Sequence, residues 1–488
     1  MTAPLPTRLE RAVRAALVAI GAGGERQAGI TVLPLAPEAY AIRAASARAA
    51  GRSLDLQYYV WRGDLTGRLL AREVLAAADR GVTVRMLLDD AFAIGHQRAI
   101  AALDEHPNIT VKLFNGTRWR RFGRWGYALE IVFGGWHLNR RMHNKAWIAD
   151  GQLAVVGGRN IGNEYFGLDE EGAINFRDLD LVLAGGIAQG ACAVFERYWT
   201  SPLARPATET SAAGNRAGAL DALRRDLDGC LRDPRATGLL AALREPPSRR
   251  IRRGLAPVAE DAVRVIAEPP EKARRGLGAR RRARAAGGIA ADIADALRAA
   301  RREVRLISPY FVPGRAGMRL LLDLVARGVK VSVVTNSLAA TDVVAVHGGY
   351  MKYRRPLLEA GVAIHELKPG PEDEKASLLG SRGGAALHTK ALVVDGLLAF
   401  VGSFNLDPRS AALNTEMGAF VRNPAVAKEV AAEQERLMDP ALSWRVTLRG
   451  GRIAWCDEAR IRHAEPGASW RRTLVAWLAR VLPVEEQL

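Results

Sequence analysis

His143-Asn144-Lys145-Ala146-Trp147-Ile148-Ala149-Asp150-Gly151-Gln152-Leu153-Ala154-Val155-Val156-Gly157-Gly158-Arg159-Asn160 is the stretch from which the rest of the chain is read. Its skeleton is His143, Lys145, Asp150, Gly157 and Asn160, and the same skeleton returns 245 residues later at His388, Lys390, Asp395, Gly402 and Asn405. A histidine near a lysine arises readily by chance; five matched positions twice over do not. The apolar runs on either side of Asp150-Gly151, and of Asp395-Gly396, predict a hairpin of two short buried strands in each copy. Side chains two apart on a strand share a face, so His143 is expected to project with Lys145 and His388 with Lys390. Imidazole, ammonium and carboxamide together suit a phosphoryl group: lysine gives fixed charge, Asn160 and Asn405 give donors, and the imidazole is left for chemistry.

The duplication extends outward from the motif. Arg80-Gly81-Val82-Thr83-Val84 corresponds to Arg327-Gly328-Val329-Lys330-Val331, each after a helical pattern (Leu69 to Ala78; Leu320 to Ala326), and Gly81 and Gly328 precede their histidines by 62 and 60 residues. With 488 residues, the chain reads as two duplicated α/β domains. The expected boundaries are a helical N-terminal segment over 1–40, a first domain over 41–268 with a helical insertion at about 205–255, and a basic linker over 269–286. A second domain follows over 287–440, then a C-terminal extension over 441–488 with an amphipathic helix at about 468–482.

A formal charge of +18 calls for a polyanionic partner, either nucleic acid or an anionic membrane surface. Aromatic residues accompany that charge between 117 and 142, where six arginines stand with Trp119, Trp125 and Trp136. Trp470, Leu474, Trp477, Leu478, Val481 and Leu482 recur at helical spacing with Arg471, Arg472 and Arg480 on other faces, until Pro483 ends the pattern. Such a stripe suits either a membrane interface or the protein's own core. The basic run Glu271 to Arg284 reads as a solvated linker. Ala12 to Gly23 is short and broken by Arg14, which supports neither a transmembrane helix nor a secretory signal. Cys192, Cys230 and Cys456 are scattered and lack metal-type spacing, so free thiols with packing roles are expected. Of the eight histidines, His96, His106, His137, His365 and His463 are expected at the surface or in loops, and His347 near the pocket.

At the motif residues the chain resembles the phospholipase D superfamily and, within it, the bacterial cardiolipin synthases without an N-terminal transmembrane hairpin. Tyr58-Tyr59-Val60-Trp61, Leu138 to His143, Gly157 to Gly162, Pro309 to Gly314 and Thr335 to Asp342 carry the finer match. The resemblance implies two tandem α/β domains, each a mixed β-sheet flanked by helices, related by a pseudo-twofold axis with the active site at their interface. It implies phosphatidyl transfer from one phospholipid, phosphatidylglycerol above all, to the glycerol hydroxyl of another phosphatidylglycerol through a phosphatidyl-histidine, with no metal and no cofactor. His143 is expected as nucleophile and His388 as acid and base, with Lys145, Lys390, Asn160, Asn405 and Ser403 binding phosphate. Asp178 and Glu416, each downstream of a motif copy, are the expected carboxylate partners of the imidazoles. Asp150 and Asp395 belong to the motif's catalytic set, yet beside glycine at a turn they are expected to bond loop backbone. The first copy has Gly158 where the second has Ser403, which makes the halves chemically unequal. The expected setting is peripheral, on the cytoplasmic face of the inner membrane, against anionic phospholipid and with room for an accessory protein. Lipid hydrolysis to phosphatidate and cleavage of nucleic acid are the alternatives.

Overall fold

The computed structural model describes residues 5–24, 26–93, 95–116, 125, 139–168, 174–210, 218–274, 288–370 and 384–481. The chain forms two compact units, neither of them continuous in sequence. Unit 1 comprises Met1–Leu168, Asp180–Ala286 and Asn414–Ala419; unit 2 comprises Asp169–Leu179, Gly287–Leu413 and Phe420–Leu488.

In unit 1 the strands are β1 (Gln27–Leu33), β2 (Ser53–Tyr58), β3 (Thr83–Asp89), β4 (Ile109–Phe114), β5 (Ala146–Ala149) and β6 (Leu153–Gly157). After β7 (Ile174–Arg177), which belongs to unit 2, the chain returns as β8 (Asp180–Ala184), β9 (Ala204–Pro206), β10 (Ala256–Ala259) and β11 (Val263–Ala267). Nine of these make one mixed sheet in the order β10-β1-β8-β6-β5-β2-β3-β4-β9. β2, β3 and β4 run parallel, as helical crossovers demand, and β5, β6 and β8 follow as antiparallel neighbours. Residues 27–33 are thus a buried strand of this sheet and not part of a helical leader.

Unit 2 repeats the plan with β12 (Glu303–Ile307), β13 (Lys330–Asn336), β14 (Ala363–Leu367), β15 (Gly384–Leu387), β16 (Ala391–Val394), β17 (Leu398–Gly402), β19 (Ser443–Arg449), β20 (Arg452–Cys456) and β21 (Ile461–Arg462), while β18 (Met417–Arg422) begins in unit 1 and enters unit 2 at Phe420. From β17 onward its sheet runs β17-β16-β12-β13-β14-β19-β20-β21. The central order matches that of unit 1, with β12, β13 and β14 parallel. Residues 443–456 therefore continue the sheet, because β19 pairs with β14.

The Arg-Gly-Val repeat has a backbone explanation. The helix Leu65–Asp79 ends at Gly81, with φ +91°, and the helix Gly314–Ala326 ends at Gly328, with φ +80°. In each, the glycine amide bonds three residues back and the following valine bonds five back: Gly81 to Ala78 and Val82 to Ala77, Gly328 to Val325 and Val329 to Leu324. A left-handed glycine closing the last turn in this way also aims the next strand into the sheet.

Two histidine expectations change. His106 is buried and bonds Asp79, and its Nδ1 accepts from the Asn108 amide. His365 is buried in β14, where Ile364 to Leu367 are buried on both faces. His347 lies in a buried cluster around Arg354, whose guanidinium is 2.8 Å from His347 Nε2, 2.9 Å from Glu366 Oε1 and 2.6 Å from Glu465 Oε1. Arg354 already supplies the cation that these three groups could otherwise bind in common. No described helix is long and apolar enough to cross a membrane. The stretch 117–142, apart from Trp125 and residues 139–142, lies outside the described residues, as does most of the basic run Glu271 to Arg284.

Candidate active site

Each His-x-Lys segment leads into a strand and is not part of it, since β5 starts at Ala146 and β16 at Ala391. The reason is the neighbour: Met142 bridges Thr415, and β15, which ends just before His388, pairs with β7. After the lysines the hairpins form as read. Asp150 and Gly151 take φ +49° and +63°, and Asp395 and Gly396 take +56° and +66°, the left-handed turn that asparagine, aspartate and glycine tolerate. Asp150 accepts from the amides of Gly51, Arg52 and Ser53, and Asp395 from those of Arg301, Arg302 and Glu303. Both motif aspartates are thus occupied with loop backbone.

Within unit 1, His143 Nδ1 is 2.7 Å from Glu416 Oε2, and the His143 amide donates to Thr415 O at 2.8 Å. Within unit 2, His388 Nδ1 is 2.5 Å from Asp178 Oδ2, and the His388 amide donates to Arg177 O at 2.8 Å. The device is the same in both: one residue's carbonyl holds the histidine backbone and the next residue's carboxylate holds the ring. The pairing is crossed relative to sequence. Asp178, downstream of the first motif, meets the second histidine, because the segments carrying the two carboxylates are exchanged between units. With Nδ1–H donating to a carboxylate, Nε2 is left with its lone pair, the tautomer a nucleophile or base requires. Both carboxylates are fully buried, so they orient the rings with little screening by water.

Aromatic rings fix the imidazole planes. Tyr59 meets His143 edge-on with centroids 5.0 Å apart, and Phe176 lies 4.9 Å from His388. Lys145 is buried, donates to His143 O at 2.6 Å and stands 5.3 Å from the Tyr59 ring centre. Lys390 likewise folds back onto His388 O. Asn160 accepts from the Val60 amide and donates to Tyr165 Oη at 2.8 Å, and a carboxamide NH2 keeps a second hydrogen beyond that bond. Asn405 differs: its buried Oδ1 has no hydrogen-bond partner among the described residues. Ser403 is fully buried at the end of β17.

Two clamps behind the histidines went unread in the sequence. Asp89, the last residue of β3, accepts from the Met142 amide at 2.9 Å, and Asn336, the last of β13, exchanges two hydrogen bonds with the backbone of Leu387. Met142 and Leu387 each precede a motif histidine, and Asp89 and Asn336 each stand eight residues after the repeat glycine. That matched phase was the available signal. Burial pushes the Asp89 carboxyl up, against the opposing pull of the Arg141 guanidinium and the Met142 amide. Burial also raises Asp342, which accepts from Tyr310 Oη at 2.7 Å and on which the Lys390 charge acts in the opposite direction.

Residues 44–199 and 293–438 match the family described as cardiolipin synthase, PLD-like domain. The chain is 38% identical over 478 residues to cardiolipin synthase C of Escherichia coli (strain K12), covering 94% of this chain and 96% of that protein. It is 24% identical to a cardiolipin synthase of Staphylococcus aureus (strain Mu50), over 81% of this chain and 63% of that one. The crystal structure of phosphatidylserine synthase from Haemophilus influenzae Rd KW20 superposes with a TM-score of 0.60 at 15% identity, covering 98% of this chain and 100% of that one, a likeness of fold.

Proposed function

The chain belongs to the cardiolipin synthase family of phospholipase D-like proteins, and on that footing we propose that it is a phosphatidyltransferase making cardiolipin from phosphatidylglycerol. The observation that carries the chemistry is the pair of buried histidine–carboxylate contacts, His143 with Glu416 and His388 with Asp178.

One turnover uses both halves of the duplicated machinery. His143 Nε2 attacks phosphorus of the first phosphatidylglycerol; the P–O bond to its headgroup glycerol breaks, and His388, protonated, gives that alkoxide its proton. The free glycerol hydroxyl of a second phosphatidylglycerol then attacks the phosphatidyl-histidine, His388 takes the proton, the P–N bond breaks and cardiolipin leaves. Lys145 and Lys390, with Asn160, Asn405 and Ser403, hold the non-bridging oxygens, whose charge is carried through both transition states. Glu416 and Asp178 act through the imidazoles as positioning residues. Asp150 and Asp395 hold the loops that present the motif.

A lipid substrate is favoured over nucleic acid by the surroundings of Tyr59. The ring that meets His143 also borders a cavity of about 270 Å³, lined chiefly by apolar groups such as Ala71, Met86, Leu88, Ile100 and Leu103. That lining suits acyl methylenes and offers a nucleobase little to bond. The basic chain then works peripherally on an anionic membrane, at the cytoplasmic face of the inner membrane, where its charge meets acidic lipid.

The test is purified protein with phosphatidylglycerol vesicles, with and without phosphatidylethanolamine, read for lipids and freed headgroup by mass spectrometry. Cardiolipin with equimolar glycerol is expected. Phosphatidate as the sole product would make the protein a hydrolase, and degraded DNA beside untouched lipid a nuclease.

A further inference from the structure

The helix Trp470–Val481 has two faces with opposite fates. One is docked in unit 2: Arg472, Ala476 and Ala479 are buried, and Ala476 joins Leu338 and Val344 in a small core. The Arg472 guanidinium is tied to Leu338 O at 2.9 Å and Thr341 O at 2.5 Å. Gly348, in the helix Val344–Ala360, makes the contact possible, because a Cβ there would overlap Ala476 O. Small residues and a bonded arginine therefore hold the helix rigidly.

The other face is the apolar stripe, turned to solvent. Trp470 is 71% exposed, Leu474 48%, Trp477 51%, Leu478 44% and Val481 58%. Five large apolar side chains on one helical face are a contiguous patch of the kind that marks an interaction surface. Arg471 and Arg480 are exposed beside it, and the helix carries no acidic residue. A second copy of the chain fits this face poorly, since pairing would bring arginine against arginine in a protein of charge +18. Indole at headgroup depth, leucine below it and guanidinium on phosphate fit an anionic bilayer.

We propose that the helix Trp470–Val481 lies in the interface of an anionic phospholipid bilayer, with Trp470, Leu474, Trp477, Leu478 and Val481 in the headgroup–acyl boundary and Arg471 and Arg480 against lipid phosphates. The choice of lipid as occupant rests on the catalytic reading above; the experiment does not. The docked Arg472 face fixes the helix to unit 2, so membrane contact is preset and needs no release of the helix.

The full-length protein is mixed with sedimentable vesicles of phosphatidylglycerol and phosphatidylcholine, or of phosphatidylcholine alone. Wild type is compared with the fourfold variant Trp470→Ser, Leu474→Ser, Trp477→Ser, Leu478→Ser and with the double variant Arg471→Gln, Arg480→Gln. All substituted residues are exposed, and unchanged melting confirms that the variants fold. Binding of the fourfold variant to the mixed vesicles is expected to weaken at least about tenfold. The double variant is expected to lose roughly fivefold per arginine on anionic vesicles only, while cardiolipin formation from detergent-dispersed phosphatidylglycerol stays within about twofold for both. Vesicle binding by the fourfold variant equal to wild type overturns the proposal, as does a wild-type dimer that the fourfold variant dissociates with vesicle binding unaltered. Wild type that binds through this face but makes no cardiolipin would sink the catalytic reading alone; cardiolipin synthesis with face-independent binding would sink this one alone.

Discussion

His143 and Glu416 are 273 residues apart in the chain, yet their Nδ1 and Oε2 atoms are 2.7 Å apart, inside unit 1. His388 and Asp178, 210 residues apart, repeat the contact inside unit 2. Each imidazole therefore depends on a segment that the chain delivers from elsewhere, and the chemistry inherits that dependence.

Glu416→Gln and Asp178→Asn keep shape while removing the charge that selects the Nδ1–H tautomer. Each is expected to lower kcat by roughly 10²–10⁴-fold with KM little changed. The pH–rate profile separates orientation from mere support, because loss of the carboxylate should move the histidine limb toward lower pH. An unmoved profile with a proportionate loss of folded protein would reduce these residues to a structural role.

His143→Ala and His388→Ala are each expected to abolish turnover on phosphatidylglycerol, and EDTA to change the wild-type rate less than about twofold, since histidine and lysine supply every function that a metal would. Strong inhibition by chelator would mean that the site has been misassigned.

Leu103→Trp, placed in the cavity beside Tyr59, is expected to raise KM for long-chain phosphatidylglycerol several-fold and to leave a short-chain analogue almost untouched, because a filled cavity excludes only the acyl segment. Equal effects on both substrates would remove the acyl chain from that cavity.

Arg43→Met tests the scaffold. Arg43 donates to Asp180 Oδ2 at 2.9 Å and to Tyr58 Oη at 3.1 Å, fully buried, and Asp180 also holds Arg159 of the motif loop. Removing one partner of a buried ion cluster is expected to cost about 3–5 kcal/mol, read as a fall in denaturant midpoint.

Acid stability has a separate origin. Burial, with the Arg445 charge nearby, lowers His365 from 6.5 to about 4. Above pH 6.5 the ring is neutral in both folded and unfolded chain. Between 6.5 and 4 the unfolded chain takes up a proton that the folded one refuses, so stability falls as pH falls, by up to roughly 3 kcal/mol. His365→Gln is expected to flatten the stability curve across that window; an unchanged slope would assign it to other groups.

Much of this architecture could be read from residue pattern. The two motif skeletons, the Asp-Gly hairpin turns and the Arg-Gly-Val helix ends are local signals, each dictated within a few residues by backbone geometry. Asp178 and Glu416 could be named as carboxylates downstream of each motif. Which ring each would meet could not, because the exchange of segments 169–179 and 414–419 between units leaves no local trace. The Asp89 and Asn336 clamps escaped for a related reason: an acid and an amide with the same task share no letter, only a phase in the repeat. His106 and His365 were misplaced because a strand covered on both faces, or a single turn, decides burial more than residue type does. The C-terminal stripe was legible as amphipathic, but only the packing of Arg472 and Ala476 decided which face turned inward.

The most direct measurement uses a phosphatidyl ester of p-nitrophenol, a leaving group acidic enough to depart without a proton donor. His388→Ala, lacking the acid but keeping the nucleophile, is expected to release one equivalent of p-nitrophenolate in a burst and to carry a phosphatidyl adduct that peptide mapping places on His143, while His143→Ala gives neither burst nor adduct. A burst from His143→Ala with the adduct on His388, or steady release by both variants with no adduct at all, would contradict covalent transfer through His143.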